Sequence, residues 1–318
     1  MSGAQRWLLA AATSRNHNEH AMRYRNPPPV PLQDMIAEAR AERREFWRLL
    51  AVVAVLAVSV VFALDRIAVW VAPHIPFRWE RQIAATLHMD QMGRHSGGES
   101  GASVARQHAI EAALQQRLDK IAHAINLPPE ITLTAHYSDS STVNAFATLG
   151  GHITVYQGLL SKIEYDEELD AVLAHEAGHV LHRHMVKQLS RGLSMAAALN
   201  LIGIRSPALN RWLIGDMEHL QQLAYSRDAE READQTAQQA ALRLYGHTEG
   251  LTRLFRRFAD MQAQHGGTPE WMTFTQSHPL AEDRLATVSA SGGSNVKLTP
   301  LDAVYREPAN QHGKKAER

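Results

Sequence analysis

The residues best suited to chemistry lie in one short run, His175-Glu176-Ala177-Gly178-His179, which has the form HExxH. On a helix, residues four apart are separated by about 40° around the axis and about 6 Å along it. Both imidazoles can therefore reach one divalent ion at the roughly 2.0–2.1 Å typical of Zn–N bonds. Glu176 lies beside this pair, where it can flank the ion without binding it. The spacing predicts a metal site with a carboxylate placed to act as a base for water.

The residues around this run predict a buried helix. One face is apolar and consists of Leu169, Val172, Leu173, Val180 and Leu181. The opposite face consists of residues small enough for close packing: Ala171, Ala174 and Gly178. Buried imidazoles and carboxylates need partners, and a dication would satisfy all of them. HExxH is typical of metalloproteases, but a chain with 18 histidines would contain it by chance about 0.05 times, so the motif alone is suggestive.

A third ligand is predicted in the segment SRDAEREAD, residues 226–234. Catalytic zinc is typically held by three protein ligands with one position left open. Glu230 can supply the third ligand, and Asp234, one helical turn later, can accept an N–H from a ligating histidine. The alternative is a solvated acidic helix face, since Asp228 and Glu232 are also acidic. We therefore predict one Zn²⁺ per chain, held by His175, His179 and Glu230.

Four motifs in order resemble the membrane-associated gluzincin metallopeptidases, the family of HtpX, BepA and the CAAX prenyl proteases. They are NAFATLGGHITVYQGLL (144–160), VLAHEAGHVLHRH (172–184), SRDAEREAD (226–234) and SHPLAEDR (277–284). The resemblance covers roughly residues 104–290. A single apolar segment ahead of this region is similar to the BepA-like branch and unlike the multi-span branches.

The resemblance implies zinc as the cofactor, polypeptides as substrates and a role for each matched residue. It implies His175, His179 and Glu230 as ligands, Glu176 as catalytic base and Asp234 as the residue that orients a ligand. It places His278 near the metal, where the residue would either bind the metal in a resting state or help to stabilise the oxyanion during catalysis. An equal alternative is that His278 only begins a helix before Pro279 and has no role at the metal. Asn144 and Ala145 would lie near the strand that binds substrate, and we expect substrate to add to the strand 152–156.

The hydrophobic periodicity predicts an α+β fold: a mainly helical zincin-type metallopeptidase domain with a small β-sheet, preceded by one transmembrane helix. Strands are predicted near 131–135 and at 152–156. Helices are predicted at 104–125, 166–188, 190–203, 208–224, 227–244, 248–265 and 280–289. The apolar-to-amphipathic stretch 190–207 could cover a cleft or enter a membrane.

The domain boundaries follow from composition. We predict a flexible N-terminal arm at 1–48, a transmembrane anchor at 49–72, a linker at 73–103, the metallopeptidase domain at 104–305 and a tail at 306–318. The sixteen residues 49–64 carry no charge, which is near the lower limit for a bilayer span of roughly 17–25 residues. Arginines crowd the N-terminal side of this run, which favours a cytoplasmic N-terminus and a domain on the other side of the membrane. The resemblance to the BepA-like branch implies that this membrane is a bacterial inner membrane and that the domain is periplasmic.

Composition excludes several classes of function. Lys plus Arg and Asp plus Glu are equal at 33 each, so no overall positive charge points to nucleic acid. The chain has no cysteine, which excludes disulfides, thiolate zinc sites and a thiol nucleophile. Two alternatives to an enzyme stay open: a tethered chaperone or assembly factor with a plugged or structural zinc site, and a helical interaction domain with an accidental motif. The sequence does not predict an oligomeric state.

Overall fold

The computed structural model describes residues 31–71, 74–91, 101–190, 192, 225–265, 278, 284 and 296–306. The chain divides into two units, Met1–Leu56 and Ala57–Arg318. Helix α1, Leu32–Val71, begins in the first unit and ends in the second. Within α1, the stretch Met35–Ala63 has a mean hydropathy of 2.4 and, by length and composition, is the one described helix that could cross a membrane.

Helix α1 begins earlier than the predicted anchor and extends into the segment predicted as a flexible arm. Residues 32–48 contain many alanines, glutamates and arginines, which are strong helix formers. The polar N-terminal part therefore continues the same helix as the apolar part. The prolines at 27–29, which favour extended backbone, lie outside the described residues.

The segment predicted as a linker contains a second helix, α2, Phe77–Thr86. Its buried residues are Phe77, Glu80 and Ala84, which are spaced three and four apart and so form one stripe. A short 3₁₀ turn, Met89–Gln91, follows. Ten residues with only three buried positions gave too weak a periodicity for the sequence to predict this helix.

Helix α3, Gly101–Ala124, packs its apolar stripe on a three-stranded mixed sheet. The strands are β1, Thr134–Ser138, β2, Ala145–Ala147, and β3, His152–Tyr156. Their order is β1-β3-β2, with β1 parallel and β2 antiparallel to β3. The predicted strand 152–156 is confirmed, whereas β1 begins three residues after the predicted 131, because a turn closed by Ile131 N–H on Pro128 carbonyl comes first.

A buried helix, α5, lies at the centre of the core. After the short helix α4, Gln157–Leu160, α5 runs over Asp166–Leu181 and has nearly every residue buried. It ends before the predicted residue 188 because Arg183 adopts a left-handed φ of 57°, after which helical backbone resumes at residue 184. Gly178 allows the next helix to approach closely, since a Cβ there would lie 2.9 Å from the Cα of Ala233.

Two further helices complete the described core. They are α6, Arg227–Tyr245, which is capped by the Ser226 hydroxyl and ends at Gly246 with φ 75°, and α7, Glu249–His265. Both pack on α5. The predicted helices 190–203, 208–224 and 280–289 lie almost entirely outside the described residues. The described part is mainly helical with a small mixed sheet, as the α+β prediction expected.

Candidate metal centre

Two neighbouring helices bring the three predicted ligands together. His175 and His179 lie on α5, and Glu230 lies in the first turn of α6; all three are buried. The two Nε2 atoms are 3.0 Å apart. The carboxylate oxygens of Glu230 lie 3.5 Å from His175 Nε2 and 3.6 Å from His179 Nε2. The fold thus places a residue about fifty positions downstream beside the HExxH pair.

His278 completes a four-membered group. Its Nδ1 lies 3.2 Å from His175 Nε2 and 3.1 Å from Glu230 Oε1. Ligand atoms around a tetrahedral zinc ion at roughly 2.0–2.1 Å are separated by about 3.3 Å. Four of the six separations among His175 Nε2, His179 Nε2, Glu230 Oε1 and His278 Nδ1 are 3.0 to 3.6 Å, close to such an edge, and the four ligand atoms of the group all lie within 4.8 Å of one another. Among the described residues this is the one group of histidines and acids that could hold a metal ion.

The charge of the buried cluster also fits a dication. Three carboxylates, Glu176, Glu230 and Asp234, lie buried together with one guanidinium, Arg284. With neutral imidazoles this described cluster carries a charge of −2, which is costly in a protein interior. A divalent cation neutralises it. Without a metal, a proton on His175 neutralises part of this charge. Burial opposes protonation of His175, but the hydrogen bonds to Asp234 and Glu230 outweigh burial and raise the pKa of His175 to about 10.

Asp234 lies where it can orient His175. Its Oδ1 is 3.0 Å from His175 Nδ1, and a carboxylate in this position fixes the tautomer that leaves Nε2 free to bind a metal. Arg284 holds Asp234 in turn through Nε and Nη2 at 2.7 and 2.9 Å. The third nitrogen of the same guanidinium, Nη1, is 2.8 Å from Glu230 Oε2. One arginine therefore positions two of the acidic groups.

His179 has a longer chain of partners. Its Nδ1 lies 2.8 Å from Nδ1 of His184, whose Nε2 lies 2.9 Å from an oxygen of Glu232. Burial lowers the pKa of His184 to about 4, against the opposing hydrogen bond with Glu232, so this imidazole is neutral. The carboxylate can only accept, so His184 donates through Nε2 and accepts through Nδ1 from His179. His179 Nε2 is then unprotonated and faces the site.

Glu176 sits between the sheet and the metal-binding group. Its Oε2 accepts a 2.8 Å hydrogen bond from the Ala147 N–H of β2, and its Oε1 lies 3.4 Å from His278 Nε2. Burial raises the pKa of Glu176, although the nearby His278 and His175 oppose the change. A carboxylate with a raised pKa can both take and return a proton near neutral pH.

Sequence reasoning missed three residues of this site. They are Arg284, His184 and Tyr225, whose ring stacks on His179 with the centroids 4.0 Å apart. Two of them lie inside segments that the motifs had marked, SHPLAEDR and VLAHEAGHVLHRH, so the motifs themselves were the available signal. Nothing in the sequence around Tyr225 indicated a place beside a ligand.

The structure corrects the expected place of substrate addition. The strand 152–156 is the central strand β3, and both of its edges are already paired, by β1 and by β2. Substrate backbone therefore cannot add to it. The edge strand next to Glu176 is β2, which begins at Ala145, directly after Asn144.

Comparison with known proteins agrees with the motifs. The family model described as Peptidase family M48 matches residues 108–291. A putative beta-barrel assembly-enhancing protease of Vibrio cholerae is 32% identical over 155 residues, and the metalloprotease YcaL of Escherichia coli is 33% identical over 149 residues. The mitochondrial metalloendopeptidase OMA1 of Bos taurus is 28% identical over 161 residues.

These relatives are matched over only part of their length. The alignments cover 45%, 46% and 47% of this chain and 31%, 56% and 31% of the three relatives, respectively. The chain thus spans less than two thirds of each relative. The family match, by contrast, extends over more than half of the 318 residues and contains the HExxH helix, Glu230 and His278. The chain belongs to peptidase family M48.

Proposed function

We propose that the protein is a membrane-anchored, zinc-dependent endopeptidase whose metal is held by His175, His179 and Glu230. The observation that carries this proposal is the clustering of four buried donor atoms within 4.8 Å of one another, beside the buried carboxylate of Glu176. Two imidazoles and one carboxylate are a ligand set of known catalytic zinc sites. Membership in a peptidase family makes a peptide bond the expected target.

The proposed mechanism divides the work among the residues of the site. Bound Zn²⁺ supplies a Lewis acid that makes water a nucleophile near neutral pH. Glu176 accepts a proton as water attacks the peptide carbonyl, and it then delivers that proton to the departing amine nitrogen as the C–N bond breaks. His278, whose Nε2 lies 3.4 Å from Glu176 Oε1, is placed to donate a hydrogen bond to the oxyanion.

We propose that substrate binds as an extended strand along the outer edge of β2. Residues 144 and 148 pair with β3, through Asn144 carbonyl to Tyr156 N–H and Thr148 N–H to His152 carbonyl. Residues alternate along a strand, so the backbone groups of Ala145 and Ala147 face the other edge. The Ala147 N–H there donates to Glu176, so a substrate strand pairs through the other backbone groups of this edge or takes the place of Glu176. Backbone pairing there favours unfolded chains over particular side chains.

The cellular setting is also a proposal. Helix α1 supports a single-pass anchor, and the arginines before its apolar part support a periplasmic domain at a bacterial inner membrane. Relatives with matching sequences are named beta-barrel assembly-enhancing proteases. We therefore propose misfolded or misassembled envelope proteins as the substrate class.

One observation favours a second candidate function. His278 Nδ1 occupies the fourth position of the donor group, as it would in a plugged site. In that case the protein is a tethered chaperone or assembly factor in which the metal is structural. The two functions differ in one result, because only the enzyme loses a cleavage activity when Glu176 is changed.

The test uses the full chain purified in detergent, with casein as substrate. Glu176→Gln keeps the size of the side chain but not its basicity, so we expect zinc content to stay near that of the native chain and cleavage to disappear. Asp228→Asn, an exposed change two positions before Glu230, is the control and should cleave normally. Cleavage by Glu176→Gln would refute the assignment, and zinc-loaded native protein that does not cleave would favour the chaperone.

A further inference from the structure

Helix α2 exposes apolar and basic side chains on the face that points away from the core. Trp79 and Ile83, one turn apart, are 53% and 50% exposed. Arg78 and Arg81 are also exposed, roughly 100–160° around the helix axis from Trp79 and Ile83. The one acidic residue of α2, Glu80, is buried on the opposite face. The exposed face is therefore apolar along one side and positively charged along the other.

The opposite face of α2 is held firmly, so this helix cannot turn Trp79 inward. Glu80 forms a buried ion pair of 2.6 Å with Arg183, just after α5, and accepts a 3.0 Å hydrogen bond from Gly150 N–H. Arg183 also donates a 3.2 Å hydrogen bond to the carbonyl of Ile75, the residue before Pro76, which occupies the N-cap position of α2. The exposure of Trp79 and Ile83 is thus fixed by the contacts of Glu80 with Arg183, just after the HExxH helix, and with Gly150, just before β3.

The chain connection keeps α2 close to the end of α1. Six peptide steps separate Val71 from Phe77, and they reach at most roughly 20 Å when fully extended. Trp70, in the last turn of α1, is 70% exposed, and tryptophan is enriched where a span leaves the hydrocarbon for the headgroups. If α1 spans the membrane, α2 begins within reach of the lipid headgroups.

We propose that α2 lies on the surface of an anionic bilayer, with Trp79 and Ile83 in the interface and Arg78 and Arg81 against lipid phosphates. A helix that exposes apolar side chains on one side and arginines on the other can bind in this plane, with the long arginine side chains reaching back to the phosphates, and its continuity with α1 selects lipid as the partner. This proposal rests on the proposed membrane anchor. Because α2 is fixed to Arg183 and Gly150, lipid contact would set the height and tilt of the metal site above the membrane.

The test exploits the absence of cysteine from the chain. Single-cysteine variants of the full chain carry an environment-sensitive fluorophore and are reconstituted in phosphatidylcholine–phosphatidylglycerol vesicles. Ile83→Cys reports on α2. Val58→Cys, 69% exposed in the apolar part of α1, and Leu242→Cys, 50% exposed on α6, are the lipid and water references. Quenching is measured with aqueous iodide and with spin-labelled lipid.

We expect the label at 83 to be quenched several-fold less by iodide than the label at 242, and to be quenched by spin-labelled lipid. Replacing Arg78 and Arg81 by glutamine should reduce that protection. If the label at 83 behaves like the one at 242 while the label at 58 is buried in lipid, the surface contact is refuted and the anchor stands. If the label at 58 is also open to iodide, the anchor fails, and the surface contact fails with it.

Discussion

The two imidazoles proposed as ligands are oriented by different carboxylates. His175 reaches Asp234 directly, and Arg284 holds Asp234 from its other side. His179 reaches Glu232 only through a second imidazole, that of His184. Both arrangements fix Nδ1 as the donor and leave Nε2 for the metal. The indirect arrangement depends on a residue just beyond the end of α5.

We expect His184→Ala to weaken zinc binding by about 10- to 100-fold, the usual cost of losing the partner of a ligating histidine. Without His184, the ring of His179 loses the acceptor that fixes its tautomer and orientation. Competition with a chromophoric chelator measures the affinity. His123→Ala, which changes an exposed histidine of α3, is the control; equal affinities for the two variants would contradict this role for His184.

At the residue scale, helical spacing selected His175, His179, Glu230 and Asp234, whereas His278 was expected only from the family resemblance. The HExxH pair, Glu230 and Asp234 are each related to a neighbour by one helical turn, and a helix fixes that relation locally. Arg284 and Tyr225 have no such relation to the residues they contact. Their positions depend on how distant segments of the chain pack together, and the hydrophobic periodicity carries no information on that packing.

At the scale of elements, α2 is attached to the core by a buried ion pair. Glu80 and Arg183 are both buried and 2.6 Å apart. Arg183 is also the left-handed residue that ends the HExxH helix, and its guanidinium stacks over the Phe77 ring. This pair therefore joins the helix after the predicted anchor to the end of the helix that carries two ligands.

We expect Glu80→Ala to lower the free energy of unfolding by about 3–5 kcal/mol, because it leaves the Arg183 charge buried without its partner. Thermal or denaturant unfolding of the purified chain measures the loss. Asp228→Ala, which breaks the exposed pair with Arg231, is the control and should cost about 0–1 kcal/mol. Equal losses for both variants would show that α2 does not depend on this ion pair.

The elements were predictable where they are long and buried on one clear stripe. Helices α3, α6 and α7 lie within a few residues of their predicted bounds for this reason. Helix α5 was predicted too long because no sequence rule marks Arg183 for a left-handed conformation, which is uncommon for arginine. The strand 152–156 was found, but its central place in the sheet depends on pairing with β1 and β2, which its own residues do not encode.

At the scale of the whole molecule, the metal centre joins segments that are far apart in the chain. His175 and His179 come from α5, Glu230 from α6 and His278 from a segment 48 positions later. A metal that binds only the folded protein stabilises it by about 4 kcal/mol at a thousandfold excess over its dissociation constant. Removing the metal should therefore affect global stability as well as activity.

We expect chelation to lower the melting temperature of the full chain and added zinc to restore it. The physical reason is the excess negative charge left in the buried cluster of described residues, which a proton on His175 offsets only in part. Scanning calorimetry with and without a chelator, on protein whose metal content is measured in parallel, provides the test. A melting temperature that does not change when the metal is lost would mean that the site does not hold the segments together.

Composition was enough to predict an anchor followed by a folded domain, but not the boundary between them. The segment 73–103 lacks long apolar runs and contains glycine and serine, so it has the composition of a linker. Its residues 77–86 nevertheless pack on the core, because Gly150 and Arg183 supply polar partners for Glu80 from elsewhere in the chain. Local composition does not show that a buried carboxylate will find its hydrogen-bond and ion-pair partners far away in the chain.

The central claim is that Glu230 completes a three-residue zinc site with His175 and His179. Zinc per chain, measured by plasma mass spectrometry on purified full-length protein, tests it most directly. We predict near-stoichiometric zinc in the native chain and in the exposed control Asp228→Asn, and a large loss in Glu230→Ala. Full zinc occupancy in Glu230→Ala, or none in the native chain, would contradict the account.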